Sequence, residues 1–158
     1  MKRLALFLLT LPLIGWVMTS CSDDDSLPDV DINFTYTNGT VVESEVYVVK
    51  PDTLYVDRIT VTAKNTSHKA VIAGYVTYYL DGMMPGYIAS PDEPLAIATT
   101  DLPVGQHLLT VTMTIAEEKC SLASAVVGVK VNVVENASDI PSAGGGESNS
   151  MPVPYTLK

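Results

Sequence analysis

Alternation between apolar and polar residues is the main pattern of this chain from residue 30 to residue 134. In residues 109–115 every odd position is Leu, Val, Met or Ile, and every even position is Thr. In residues 123–133 every odd position is Ala or Val. A repeat of two places alternate side chains on opposite faces of a strand, so both segments predict half-buried β-strands. Shorter runs of the same kind raise the expected number of strands to about seven, which predicts an all-β, single antiparallel β-sandwich.

Local signals divide these runs. Asn38-Gly39 is a pair favoured in tight hairpin turns, and Asp81-Gly82 ends another run in the same way. The inward phase changes at Asp57-Arg58, which predicts a β-bulge. Residues 83–94 contain three prolines and predict a loop with a short edge strand.

The N-terminus carries a different pattern. Lys2 and Arg3 precede an apolar run over residues 4–17, and small residues then lead into Cys21. The run is shorter than the roughly 20 residues that span a bilayer, so the layout predicts a secretory signal. Residues 18–21, Met-Thr-Ser-Cys, resemble the lipobox of bacterial lipoproteins. That resemblance implies cleavage before Cys21 and attachment to a membrane through acyl chains on Cys21.

An acidic run follows this cysteine directly: Ser22, Asp23, Asp24 and Asp25. It resembles the export signal of Bacteroidetes surface lipoproteins, and implies an outer-membrane protein exposed at the cell surface. A solvated acidic spacer on a periplasm-facing anchor is the alternative. After residue 135 the chain becomes polar and includes three consecutive glycines, a linker composition. The expected organisation is a signal peptide (1–20), an acidic tether (21–29), a β-sandwich (30–135) and a flexible C-terminal tail (136–158).

Two segments suggest a family. Residues 79–82 read Tyr-Leu-Asp-Gly, and residues 102–111 read Leu-Pro-Val-Gly-Gln-His-Leu-Leu-Thr-Val. They resemble the second half of bacterial immunoglobulin-like (Ig-like) domains, in which a strand ending in Asp-Gly is followed by a Gly-x-His turn and a long alternating strand. The resemblance implies an Ig-like β-sandwich. Residues 116–120 replace the Asp and Gly of the family's next hairpin, so no calcium-binding role carries over.

Charge and cysteine content narrow the partners. The chain has a formal net charge of −9, and removal of Lys2 and Arg3 with the signal makes it more acidic. Such a chain repels nucleic acid and anionic lipid head groups, so neither is expected as a partner. Once Cys21 is acylated, Cys120 has no partner for an internal disulfide. The hydrophobic core must therefore provide the stability.

No residue pattern indicates catalysis. His107 lies in a turn, where its ring is expected to bond backbone groups, and His68 lies in a polar turn and is expected to be exposed. The acidic neighbours of Cys120 disfavour a thiolate nucleophile. The acidic pairs, Glu117 and Glu118 among them, lack the spacing of a calcium loop and are expected to be solvated. We expect no enzyme, no cofactor and no metal.

Tyrosines are the candidate ligand-binding residues. Tyr75 and Tyr79 share one strand face, and Tyr87 lies in the neighbouring segment. Exposed Tyr side chains can stack on sugar rings or anchor a protein, and the alternative is an aromatic cluster that supports the sheet. Ser26 and Thr53 lie in Asp-Ser/Thr-Leu triplets that match the O-glycosylation pattern of exported Bacteroidetes proteins.

The expected function is therefore that of a non-catalytic cell-envelope lipoprotein. It would act as a binding or accessory module, in glycan capture or in an outer-membrane complex with a protein partner. The alternative is a structural subunit of a pilus-like or matrix assembly, whose residues 151–158 add a strand to a neighbour.

Overall fold

A computed structural model describes residues 26–142 and 149–158, with only the backbone described for residues 84–89. Within these residues the secondary structure is strands and one 3₁₀ helix, Ala137–Asp139. No helix among them is long and apolar enough to cross a membrane. The strands are β1 (Val30–Thr37), β2 (Thr40–Val42), β3 (Glu45–Val49), β4 (Thr53–Ala63), β5 (Ala70–Ile72), β6 (Val76–Leu80), β7 (Met83–Ala89), β8 (Leu95–Ala98), β9 (Gly105–Glu117), β10 (Ala123–Val134), β11 (Ser150–Pro152) and β12 (Tyr155–Leu157).

The strands form two sheets. The smaller sheet has the order β11-β1-β4-β8, and the larger has the order β2-β3-β10-β9-β6-β7, with β5 also on β9 and β12 also on β10. One core is shared by inward residues of both sheets. The fold is therefore nearly all-β, and its two layers are consistent with a β-sandwich. The expectation of a purely antiparallel fold is wrong, since β3 runs parallel to β10.

Alternation along the two longest strands is confirmed. The side chains of Leu109, Val111 and Ile115 in β9 are fully buried. The odd positions of β10 from Ala123 to Val133 are buried as well. Removing a large aliphatic side chain from water contributes roughly 1.5–3 kcal/mol. These two adjacent strands therefore form the centre of the core.

The predicted bulge in β4 is also confirmed. Thr35 of β1 pairs with Arg58, but the next residue, Tyr36, pairs with Val56. Asp57 is thus the extra residue, and the inward phase changes there because two residues of β4 oppose one position of β1.

The predicted hairpin at Asn38-Gly39 is wrong, because β1 does not pair with β2 in the described sheets. The chain crosses here from the smaller to the larger sheet. A side-chain Cβ at Gly39 would lie 2.6 Å from the Leu54 side chain, so any larger residue at this crossing would force the Leu54 side chain to move. The hairpin turn lies instead at Glu43 and Ser44, both with positive φ, between β2 and β3.

The C-terminal prediction needs a larger correction. Residues 149–158 do not form a flexible tail: β11 pairs with β1, and β12 pairs with β10. Met151 and Val153 are buried in the core. The domain therefore extends to the end of the chain, not to residue 135. Twelve strands are described where about seven were expected. The difference arises because strands of three residues are too short for their alternation to be recognised in the sequence. Residues 143–148 of the expected tail lie outside the described residues.

Candidate functional site

The outward side of the larger sheet, formed by β3, β10, β9 and β6, is called the outer face here. Tyr79 lies beside Thr110, and Thr77 lies beside Thr112. Val126 of β10 continues the second row. The alternation that buries the odd residues of β9 places its threonines on this outer face. The result is a surface of half-buried threonines bordered by aromatic and polar side chains.

Two of the three candidate tyrosines are described with their side chains. Tyr75 is 70% exposed just before β6, and Tyr79 is half-buried on the outer face. Tyr78 lies between them in sequence but is buried in the core, and this burial raises the pKa of its hydroxyl to about 12. The side chain of Tyr87 lies outside the described residues. Among the side chains that are described, the one aromatic ring contact joins Phe34 and Tyr36 at 6.3 Å. It belongs to the core and not to the outer face.

A polar cluster borders the outer face on β3 and β10. The Glu45 carboxylate accepts hydrogen bonds from Lys130 Nζ and Asn132 Nδ2, both at 2.8 Å. The bond from Lys130 holds the pKa of Glu45 below its usual value. Tyr47 lies at its edge, with its hydroxyl 3.5 Å from Glu45. Together with Tyr79, these groups offer hydrogen-bonding and stacking contacts on one surface.

The residues Asp81, Pro103 and His107 form a corner at the start of β9, called the His107 corner. His107 Nδ1 lies 2.7 Å from Asp81 Oδ2, and Nε2 lies 2.9 Å from the Pro103 carbonyl. Burial opposes protonation of the ring, but bonds to these two acceptors outweigh it, and the pKa of His107 is raised. The bond to His107, aided by the Leu108 amide, lowers the pKa of Asp81. The expected structural role of His107, with a bond to a backbone group, agrees with this geometry.

A second histidine lies at the opposite end of β9. His68 Nδ1 is 3.0 Å from Glu117 Oε1, and the ligand atoms of His68, Glu117 and Cys120 all lie within 4.8 Å of one another. We call these three residues the Cys120 cluster. Glu117 Oε2 also accepts the Asp29 amide at 2.8 Å. Burial opposes ionisation of Glu117, but the bonds from Asp29 and His68 outweigh it and its pKa is lowered.

Hydrogen bonds fix the tautomer of His68. Asn65 Oδ1 accepts both the amide and the hydroxyl of Ser67, so its Nδ2 group faces His68 Nε2 at 3.2 Å. Nε2 therefore accepts a hydrogen bond, and Nδ1 carries the proton that is donated to Glu117. The Nδ1–H group of His68 and the Cys120 thiol both lie close to the buried Glu117 carboxylate.

Two expectations about this cluster are wrong. His68 was expected to be exposed, yet its side chain is only 17% exposed. Glu117 was expected to be solvated, yet its side chain is 3% exposed. The turn that follows β4 brings His68 to the end of β9, and no short-range pattern reports this contact. A signal for Glu117 did exist, since it continues the odd, inward positions of β9.

An open groove of about 520 Å³ lies between β4 and β5. Its lining mixes charged side chains with aliphatic ones, and it places no titratable cluster around one point. Its lining includes Arg58, Ile59, Val61, Val71, Ile72 and Asp92.

The predicted modification sites are only partly described. Cys21, Ser22, Asp23, Asp24 and Asp25 lie outside the described residues. Ser26 is exposed, and its hydroxyl donates to Cys120 Sγ at 3.6 Å. Thr53 is half-buried at the start of β4 and pairs with Ala98 of β8.

The fold and these surfaces define the class only as a nearly all-β, two-sheet protein. No family model, curated protein or solved structure matches this chain.

Proposed function

We propose that this chain is a non-catalytic cell-envelope lipoprotein that acts as a binding or accessory module, with the outer face as its binding surface. The single observation that carries the binding role is the outer face, where Tyr79 borders the threonine rows and the exposed Tyr75 directly precedes the same strand. Tyr combines a large apolar area with a polar tip, which suits sugar rings and protein partners alike.

An Ig-like fold is part of this proposal. In Ig domains strands A, B and E share one sheet, and strands C, F and G share the other. Here β1, β4 and β8 are neighbours in one sheet, and β6, β9 and β10 are neighbours in the other. In chain order these are the positions of A, B, E and C, F, G. The order of strands therefore supports an Ig-like sandwich without its disulfide, since Cys120 is free.

The chain ends support an anchor at one end of the domain. The Ser26 carbonyl accepts the Ser121 amide, and Lys158 exchanges backbone bonds with Ser124. Both described termini thus lie by the turn between β9 and β10. A tether to acylated Cys21 would leave from this end, so the His107 corner would point away from the membrane.

Binding to an oligosaccharide array tests the ligand class. We expect Tyr75→Ala and Tyr79→Ala to abolish binding, because each removes a stacking surface. Tyr55→Ala is the matched control, since Tyr55 is a half-buried tyrosine on the smaller sheet. Equal loss in all three variants would contradict the outer face as the site. An array without any signal would favour a protein partner.

Protease treatment of intact cells tests the location. We expect the wild type to be cleaved, Cys21→Ala to be released from the membrane, and Asp23/Asp24/Asp25→Ala to be protected. A wild type that is protected until the outer membrane is opened would indicate a periplasm-facing anchor.

The intact mass of the native protein tests O-glycosylation at Ser26 and Thr53. We expect a mass above that of the acylated chain, and we expect Ser26→Ala and Thr53→Ala to remove this excess mass.

A structural subunit is the second candidate. The observation that favours it is the position of β11, a three-residue strand at the sheet edge that pairs only with β1 in the described sheets. Because residues 150–157 already complete both sheets of their own domain, assembly would require neighbours to exchange this segment. In a Cys120→Ser background, a Thr35→Cys/Ser150→Cys disulfide joins two paired residues and blocks exchange. Assemblies that survive this crosslink would rule out the exchange.

A further inference from the structure

We propose that His68, Glu117 and Cys120 form a binding site for a divalent zinc-type metal ion. Imidazole nitrogen, carboxylate oxygen and thiolate sulfur are the three ligand types that Zn²⁺ takes in proteins. The Cys120 cluster contains one ligand of each type, and His68 and Glu117 are 49 residues apart in sequence. The outer face has no part in this proposal.

The distances suit a metal of this size. With metal–ligand bonds of about 2.0–2.3 Å, tetrahedral ligands lie about 3.3–3.6 Å apart. The present separations, from the 3.0 Å between His68 and Glu117 up to a limit of 4.8 Å, bracket that range. Small side-chain shifts are therefore enough to form the site. The backbone of the surrounding turns need not move.

Glu117 is already held as a ligand should be. Its side chain is 3% exposed, and the Asp29 amide fixes Oε2, which leaves Oε1 directed at His68. A ligating carboxylate with a second hydrogen bond of this kind is pre-oriented for the metal. A buried carboxylate at the edge of a mostly aliphatic core also gains by facing a cation.

Metal binding requires two proton movements. The Cys120 thiol releases its proton to solvent, because the thiolate is the ligand. The His68 proton leaves Nδ1, and a proton is taken up at Nε2, so the ring stays neutral and Nδ1 binds the metal. The Asn65 amide must then turn its oxygen from the Ser67 amide and hydroxyl toward Nε2. This turn gives up two local hydrogen bonds and places an acceptor behind the ligating ring.

The site would join three parts of the chain at the end near both termini. His68 belongs to the turn after β4, and Asp29 belongs to the segment before β1. Glu117 ends β9, and Cys120 belongs to the turn that follows. Three protein ligands leave a fourth position for water or for the Ser26 hydroxyl, which lies 3.6 Å from Cys120 Sγ. A bound ion would therefore stabilise this end as a crosslink does.

Cobalt titration of the full chain carrying Cys21→Ser, whose one thiol is Cys120, tests the site. We expect one Co²⁺ per chain, with tetrahedral ligand-field bands and a thiolate-to-cobalt charge-transfer band. Zn²⁺ should displace the cobalt and raise the melting temperature. Cys120→Ser should abolish the charge-transfer band, and His68→Gln should weaken binding by at least about 10-fold, since even outer partners of a ligand cost 10–100-fold.

The controls separate this site from adventitious binding. His107→Gln removes the other histidine and Glu118→Gln removes the neighbouring carboxylate, and both should leave the affinity unchanged. Circular dichroism checks that each variant is folded, and the changes at His68 and Cys120 avoid dependence on the buried Glu117. A missing charge-transfer band in the parent chain, or an affinity that His68→Gln leaves unchanged, would overturn the proposal.

Discussion

The two histidines of this protein have the same first partner and different surroundings. Each ring directs Nδ1 at a carboxylate, at 2.7 Å in the His107 corner and at 3.0 Å in the Cys120 cluster. They lie at opposite ends of β9, about 34 Å apart along the strand. The difference between them is at Nε2, which faces a carbonyl oxygen in the corner and an amide NH₂ group in the cluster.

The group that faces Nε2 decides how many N–H groups the surroundings of the ring favour. Two acceptors favour two N–H groups, so His107 is stabilised as the cation. One acceptor and one donor favour a single N–H group, and this is the arrangement around His68. A carboxylate beside Nδ1 of a histidine is therefore not enough to assign an ion pair, because the hydrogen-bond partner of Nε2 must be considered as well.

The two carboxylates also differ in how deeply they are buried. In the corner the ring is 8% exposed and the Asp81 carboxylate is 41% exposed. In the cluster the Glu117 carboxylate is almost fully buried. The corner can therefore exchange part of its bonding with water, whereas the cluster cannot. This asymmetry predicts which end is more sensitive to mutation.

Glu117→Gln should give the largest loss of stability. Glutamine has one oxygen for two donors, the Nδ1–H group of His68 and the Asp29 amide, so one buried charge-assisted hydrogen bond is lost. We therefore expect the free energy of unfolding to fall by about 2–3 kcal/mol. Urea unfolding with a chelator present measures it. Asp81→Asn, whose carboxylate is partly exposed, should cost less than about 1 kcal/mol. Equal losses would remove the distinction between the two ends.

Tyr155→Phe should rank second. Its hydroxyl accepts the Val30 amide at 3.2 Å and donates to the Val30 carbonyl at 3.0 Å, next to the Asp29 amide that Glu117 holds. Removing these bonds should cost about 1–2 kcal/mol by urea unfolding. Tyr36→Phe is the control, since the buried Tyr36 hydroxyl finds no hydrogen-bond partner among the described residues and its loss should be neutral or stabilising. A larger loss in Tyr36→Phe would contradict the ranking.

The pH dependence of the His107 corner should be smaller. The pKa of His107 is raised, so its contribution is complete below the ordinary value and is lost as pH rises through the folded pKa. The pKa of Asp81 is lowered, so its contribution is present above the ordinary value and is lost toward acid. Between about pH 5.5 and about pH 8 we expect the corner to lose less than about 1 kcal/mol. Melting temperatures of the wild type and His107→Gln, measured across this pH range, check the prediction. Plots of melting temperature against pH that run parallel for the two proteins would refute it.

Asn65→Asp should change protonation with little effect on stability. The aspartate gives His68 Nε2 an acceptor in place of a donor, which reproduces the arrangement of the His107 corner. We expect the ¹⁵N shifts of His68 at neutral pH to change from one protonated nitrogen to two. Asn65→Ser removes the donor without adding a charge and is the control. Unchanged shifts in Asn65→Asp would mean that the far nitrogen does not control the charge.

Much of the fold was predictable because its causes are local. The inward residues of β9 and β10 follow from alternation, the bulge at Asp57 follows from a change of phase, and Asp81-Gly82 is a turn in which both residues have positive φ. Each of these features depends on residues close in sequence. The position of Glu117 was predictable on the same basis, although its acidic side chain suggested solvent.

The remaining features depend on contacts between distant segments. Residues 150–157 carry too little pattern to be recognised as strands, and they become strands because β1 and β10 offer unpaired edges beside the core. Gly39 lies at a crossing and not in a hairpin because β1 and β2 belong to different sheets, a fact of the strand pairing that the Asn-Gly pair does not report. The sequence by itself determined the longer strands and their inward faces, since alternation is a short-range pattern, and it carries the N-terminal pattern from which a lipobox is predicted. Only the tertiary structure brought His68 to Glu117 and Cys120 and set the donors and acceptors around its ring, because these depend on which groups the folded sheets bring within hydrogen-bond distance.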